Sequence, residues 1–192
     1  PEPRYDVPAG GLVRVRILAA DVTRIYNLRL NGAEAQIIAI DGHPVPERFA
    51  LDMAVVSPGQ RLDLAVRVAD KEGVEMVLED VRPSTAKVVA RFRAVGSSLK
   101  RDLGDLGLLA ENAGVDADLS NATEIPLLLS ATAESASRDS ICGTLGYSFW
   151  AINKVPYPGD TPDPTAPIAD LKLGRTYLLN VENVTPHAHP IH

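Results

Sequence analysis

The sequence predicts an all-β fold, a sandwich or barrel of short antiparallel strands. Three observations carry that reading. Leu62, Leu64, Val66 and Val68 alternate with Arg61, Asp63 and Arg67, the period-two pattern of a half-buried strand. Similar alternation recurs at Val13/Val15/Ile17, Tyr26/Leu28/Leu30, Val74/Met76/Leu78 and Val88/Ala90/Phe92. Turn signals separate the runs: Asn31-Gly32, Asp41-Gly42 and Ser57-Pro58-Gly59. Strands spaced this closely leave no room for crossover helices, so a βαβ arrangement is excluded.

Along the chain, residues 1–10 are proline-rich and read as extended. Gln36 to Ile40 reads as a core strand ending at Asp41-Gly42. Pro44 and Pro46 remove two backbone donors, which predicts an irregular crossing there instead of a paired strand. Between Ala94 and Glu124 the alternation fades, with room for a short helical turn around residues 106–111 that glycine keeps short. Ile125 to Leu129 reads as a returning strand, and Ala131 to Ser140 as a small, polar connecting segment. Phe149-Trp150-Ala151-Ile152-Asn153 opens a second apolar stretch, in which Trp150 is expected to pack in a core or domain interface. A proline-rich loop then leads to a strand over Arg175 to Val181.

Composition narrows the function classes. The chain has 192 residues, 45% hydrophobic and 23% charged, with 19 Lys and Arg against 25 Asp and Glu. The net charge of -6 and the lack of a basic cluster interleaved with aromatics argue against a nucleic-acid partner. No apolar run reaches the 18 residues of a membrane span. Cys142 is the only cysteine and forms no internal disulfide. Nucleotide-loop, His-Glu-x-x-His and Gly-x-Ser-x-Gly patterns are absent. The chain opens on Pro1 and stops at His192, which fits an expressed or proteolytic piece of a longer protein.

Chemistry concentrates in the last six residues, His187-Ala188-His189-Pro190-Ile191-His192, which hold three of the four histidines. Imidazole ligates zinc, copper, iron and nickel. In an ideal strand His187 and His189 share a face and His192 takes the other. The spacing marks a metal site without choosing the metal; a terminal polar cluster or part of a purification tag is the bland alternative. His43, after Asp41-Gly42, reads as an ordinary loop histidine. Asn121-Ala122-Thr123 and Asn183-Val184-Thr185 are formal glycosylation sequons, the second better explained as part of the turn before the histidines.

In context these residues resemble the three-domain multicopper oxidases, laccase-like proteins built from cupredoxin domains. Leu173-Gly174-Arg175-Thr176-Tyr177, Asn183-Val184-Thr185 and His189-Pro190-Ile191-His192 resemble the start of the His-Pro-x-His-x-His motif of the last domain, and Trp150-Ala151-Ile152-Asn153 its opening. Val13 to Leu18, Tyr26 to Leu30, Ile38 to Gly42 and Ser57 to Asp63 resemble the middle domain, which usually carries no copper. The likeness covers roughly residues 10–70 and 148–192.

The resemblance implies a cupredoxin-like Greek-key β-sandwich followed by an incomplete second cupredoxin domain. Residues 1–130 would form the middle domain with a trailing segment, 131–147 the linker, and 148–192 the start of the last domain. It implies copper as cofactor, with His189 on the type 1 copper and His192 on the type 2 copper. His187 has no ligand role in the motif; a supporting, surface or substrate-side role is open. Partners would be the parent's missing cupredoxin domains, dioxygen, and a small reducing substrate or metal ion, with an oligomer as another cover for the incomplete domain. The family implies a periplasmic or secreted location.

A blue copper site needs a cysteine thiolate beside its imidazoles. Cys142 precedes the terminal domain's opening, whereas the family's copper cysteine follows the histidine motif, so Cys142 receives no copper role. The expected function is therefore that of part of an oxidase, inactive by itself. Two alternatives stand beside it: a noncatalytic cupredoxin-like interaction or structural protein, and an extracellular β-protein using the terminal histidines for zinc or copper.

Overall fold

The computed structural model describes residues 2–106, 109–114, 116–131, 150–156 and 167–191. Cys142, His192 and nearly all of the expected linker lie outside the described residues. The chain groups into two compact units, Pro1–Ala113 and Gly114–Ile191.

The first unit is a two-sheet assembly. Its strands are β1 (Arg4–Pro8), β2 (Leu12–Leu18), β3 (Tyr26–Asn31), β4 (Glu34–Ile40), β5 (His43–Ala50), β6 (Ala54–Val56), β7 (Arg61–Arg67), β8 (Glu75–Asp80) and β9 (Lys87–Val95). One sheet runs β1-β9-β8-β3-β6 and the other β2-β7-β4-β5. Pairing is antiparallel except between β1 and β9. The all-β expectation holds, in the cupredoxin-like sandwich form.

Strand β7 is where the two layers meet. Leu62, Leu64 and Val66 are buried together with Leu28, Val56, Leu78 and Ala90 of the opposite sheet. Val68 continues the stripe into a second cluster with Val7, Met76 and Ala94. The predicted inner face is thus the core.

Four local expectations are corrected. The segment containing Pro44 and Pro46 is strand β5, paired with β4 across a register shift between Ile37 and Ala39. As the outermost strand of its sheet, it has an open side where missing donors leave no ladder bond unmade. Asn31-Gly32 does not close a hairpin; it passes the chain from β3 in one sheet to β4 in the other. A Cβ on Gly32 would lie 2.9 Å from the Glu75 carbonyl oxygen, and φ there is +83°, so glycine is required twice over. Asp41-Gly42 is a true two-residue hairpin turn, with φ +51° and +86°. Residues 4–8, read only as extended, form β1, in which Arg4 and Asp6 face Arg91 and Arg93 of β9 in register.

The outer face of β7 supplies the fourth correction. Asp63 is only 5% exposed although its place in the alternation puts it on the solvent side. Leu103, Leu106 and Leu109 pack with Ile38 and Ala65 over that face, so both faces of the sheet are covered. A 3-10 turn at Leu103–Asp105 is capped by Asp102; of the helical turn expected around residues 106–111, residues 107 and 108 lie outside the described residues. Asp63 is compensated by Arg14, which donates to it from Nε and Nη2, with the Arg16 guanidinium 3.6 Å away.

Asp80 is the most buried carboxylate among the described residues, at 1% exposure. It accepts from the Asn27 amide at 3.0 Å, the Arg82 amide at 3.1 Å and Arg24 Nη2 at 2.7 Å. Burial pushes its carboxyl upward, but these donors outweigh burial and hold it below the usual carboxylate range. A depressed folded-state pKa adds stability above the unfolded-state value, and that stability is lost as pH falls through the folded-state value. Replacing Asp80 by Asn should cost about 1–3 kcal/mol at neutral pH, the scale of hydrogen bonds to a charged group. The deficit should begin to shrink below the unfolded-state carboxyl value of about 3.9 and vanish only as pH falls through the lower folded-state value. Urea titrations of both proteins at pH 7 and pH 3, followed through first-unit amide signals, measure it; a gap that does not depend on pH would refute the account.

Candidate metal-site segment

The second unit contains β10 (Thr123–Ser130), β11 (Ala151–Ile152), β12 (Val155–Pro156) and β13 (Tyr177–Asn183), in the order β12-β11-β10-β13. The returning strand expected at residues 125–129 is β10, and the strand expected at 175–181 is β13, shifted two residues on. They pair in parallel, Thr123 with Tyr177 through Leu129 with Asn183. β11 pairs antiparallel to β10 at its far end, Leu129 with Ile152 and Ser130 with Ala151.

This register brings distant residues together. Trp150 immediately precedes β11 and Val184 immediately follows β13; β11 pairs with Leu129 and Ser130, and the β13 pairing ends on Leu129. The Val184 amide donates to the Leu129 carbonyl at 3.0 Å, continuing the ladder one residue. Trp150, His187 and His189 therefore sit at one end of the sheet. The Trp150 ring meets His187 and His189 edge-on, with centroids 5.5 and 5.1 Å away.

Asn153 locks β11 to β10. Its Nδ2 donates to the Pro126 carbonyl at 3.0 Å, and its Oδ1 accepts from the Leu128 amide at 2.8 Å. Its own amide donates to the Leu128 carbonyl at 2.9 Å. Asn153 and Lys154 have φ of +50° and +65°, the paired left-handed conformation of a tight hairpin, which asparagine tolerates well.

His187 and His189 do not lie in a strand. Beyond Asn183 the chain turns, and side chains hold the turn together. Asn183 Oδ1 accepts from the Thr185 amide at 2.9 Å and lies 2.8 Å from Thr185 Oγ1. Asn183 Nδ2 donates to the His187 carbonyl at 2.7 Å. The His187 amide donates to Thr185 Oγ1 at 3.2 Å. Thr185 Oγ1 is also 2.8 Å from His189 Nε2, in a partly buried contact. Asn183 and Thr185, a formal sequon, are thus engaged in the turn.

His187 and His189 do come together, through the turn and their shared Trp150 neighbour and not through strand periodicity. Trp150, expected in a core or interface, is 46% exposed and faces the imidazoles. The turn expected at Asn183-Val184-Thr185 is present; sequence reasoning missed only the bond from Thr185 to His189 and the role of Asn153. The Asn-x-Thr pattern beside Pro186 was the available signal.

His43 stands in the first unit, its Nδ1 3.2 Å from Asn112 Nδ2. Among the described residues no three His, Cys, Asp or Glu side chains converge as a metal cage, and no helix is long and apolar enough to cross a membrane. What the segment offers copper is the His189 imidazole, one nitrogen tied to Thr185. That fits a single imidazole ligand; the thiolate of a blue site has no counterpart among the described residues.

No family model matches the sequence. Over 87 residues it is 33% identical to the cell division protein FtsP of Haemophilus influenzae, a match spanning 45% of this chain and 18% of that protein. It is 30% identical over 97 residues to a laccase of Bacillus subtilis, spanning 46% of this chain and 19% of the laccase. The structure superposes on a multi-copper oxidase from Pseudomonas thermotolerans with a TM-score of 0.74 and 30% identity, covering 96% of this chain and 40% of that one. The chain is homologous to the multicopper oxidases. The matches span about a fifth of those curated relatives and two-fifths of the solved oxidase.

The Asn153 contacts generate a test. Asn153→Ala removes the acceptor for the Leu128 amide and puts a less tolerant residue at positive φ. Hydrogen exchange at Leu128 should accelerate at least tenfold, with first-unit amides unchanged. Unchanged protection at Leu128 would remove Asn153 from its locking role.

Proposed function

We propose that this chain is part of a copper-dependent oxidase, carrying the copper-free middle domain and the opening of a copper-bearing last domain. The observation that supports this most is the sequence His189-Pro190-Ile191-His192 after β13, with the His189 ring held by Thr185, in a chain 30% identical to a multi-copper oxidase over 96% of its length. In this reading His189 binds type 1 copper and His192 type 2 copper, while His187 remains a surface residue against Trp150. The sequence divides at 1–130, 131–147 and 148–192, and the parent acts in the periplasm or outside the cell.

Bound copper would supply one-electron oxidation of a small reducing substrate or metal ion and four-electron reduction of dioxygen to water. The residues of this chain orient and hold ligands: the Asn183–Thr185 turn fixes His189, and Trp150 covers one edge of both imidazoles. Four histidines and one cysteine are too few for a blue site plus a trinuclear cluster, so the remaining donors would come from other parts of the parent.

A noncatalytic reading is favoured by one finding, the 33% identity to a protein named for cell division. There the sandwich would serve as an interaction or structural module. The coding sequence downstream of His192 separates the two. A third histidine after one spacer residue, and later a His-Cys-His cluster, is expected for the oxidase; their absence would support the module.

Two further outcomes follow from the oxidase reading. The 192-residue chain loaded with copper should show no intense thiolate-to-copper absorption and no oxygen consumption; a strong blue band with stoichiometric copper would overturn the assignment of Cys142. In the intact parent, His189→Ala should chiefly remove the blue absorption, and His192→Ala should chiefly deplete type 2 copper and stop dioxygen reduction. Loss of the same single copper in both variants would defeat the two-centre assignment.

A further inference from the structure

The hydrogen bonds around Thr185 determine which nitrogen of His189 is available to a metal. A hydroxyl has one proton and can accept two hydrogen bonds. Thr185 Oγ1 has two partners at 2.8 Å, Asn183 Oδ1 and His189 Nε2, and it receives the His187 amide at 3.2 Å.

The orientation of the Asn183 amide group is fixed by its surroundings. Oδ1 faces the Thr185 amide donor and Nδ2 faces the His187 carbonyl; a flipped group would set donor against donor and acceptor against acceptor. Oδ1 therefore cannot donate to Oγ1, and the hydroxyl must give its proton to Oδ1. The remaining 2.8 Å contact then needs its proton from the ring, so Nε2 carries hydrogen and donates to Oγ1. The hydroxyl is then saturated, with one bond given and two received. Its 3.2 Å approach to the His187 carbonyl is secondary, because Asn183 Nδ2 already serves that oxygen.

We infer that Thr185, oriented by Asn183, is a positioning residue that holds neutral His189 in the Nε2–H tautomer and leaves Nδ1 as the lone pair offered to a metal. The inference rests on the copper reading only for the identity of that metal. Fixing the tautomer and rotamer before binding is the usual task of a hydrogen-bond partner behind a metal-ligating imidazole.

Long-range proton–nitrogen spectra of the metal-free, nitrogen-15-labelled chain test it directly, at a pH above the usual imidazole pKa of about 6.5. His189→Gln serves to assign the His189 signals. The wild type should show Nε2 protonated and Nδ1 bare in a dominant tautomer. Thr185→Ser, which keeps the hydroxyl, should preserve that state, whereas Thr185→Val should give a tautomer mixture while the β13 amide signals stay in place. A wild-type ring protonated on Nδ1, loss of the dominant tautomer in the serine variant, or an unaltered tautomer in the valine variant would each overturn the inference. Should the valine variant fail to fold, the wild-type and serine spectra still decide. A parallel copper titration keeps the two claims apart: no copper effect at His189 counts against the copper reading, whereas the wrong tautomer counts against Thr185.

Discussion

Two-sided burial of β7 is the constraint on which the first unit depends. Leu62, Leu64, Val66 and Val68 face the opposite sheet, while on the other face Ala65 lies under the segment that carries Leu103 and Asp63 is buried in an ion pair with Arg14. Hydrogen-bonded to β2 on one side and β4 on the other, β7 cannot slip by one residue. A slip would exchange four large aliphatic side chains for an aspartate and two arginines on the core face. The turn at Ser57-Pro58-Gly59 leads from β6 into β7 itself, and Asp41-Gly42 folds β5 back onto β4, the neighbour of β7. The Gly59 amide donates to the Ala19 carbonyl at 2.7 Å just beyond β2.

Much of this was legible because period-two alternation reports burial directly. β2, β3, β4, β7, β8 and β9 fall where Val13, Tyr26, Gln36, Leu62, Val74 and Val88 begin their runs, within a residue or two. What alternation cannot report is the covering of an outer face by residues far away in sequence. Asp63 has the local pattern of a solvent-facing residue, yet it is buried beside Arg14 and Arg16, and its neighbour Ala65 is covered by Leu103, some forty positions later. The proline expectation holds only in part, since pairing there is irregular but the segment is still a strand. Pro44 and Pro46 exclude a central strand but not an outermost one, and strand order is a property of the whole sheet.

The histidine segment was legible as chemistry and not as geometry. His189 and His192 are recognisable by type and spacing, but strand periodicity is the wrong frame for His187 and His189 because the chain leaves the sheet at Asn183. Asn and Thr side chains compete with the backbone for hydrogen bonds and so end regular structure. Here they do so in the residues that also fix the imidazole, so the device that terminates β13 is the device that orients His189.

The parallel pairing of β10 and β13 explains why such a segment can be built from residues so far apart. A parallel pair cannot be closed by a tight turn, so the intervening chain must leave and return. On that excursion it lays down β11 antiparallel to β10, next to the end where β13 finishes. A parallel neighbour on one side and an antiparallel neighbour on the other place the start of β11 and the finish of β13 at the same end of β10. Trp150 and the histidines meet because one strand carries both kinds of pairing, and the local sequence of either segment contains nothing that would have revealed the contact.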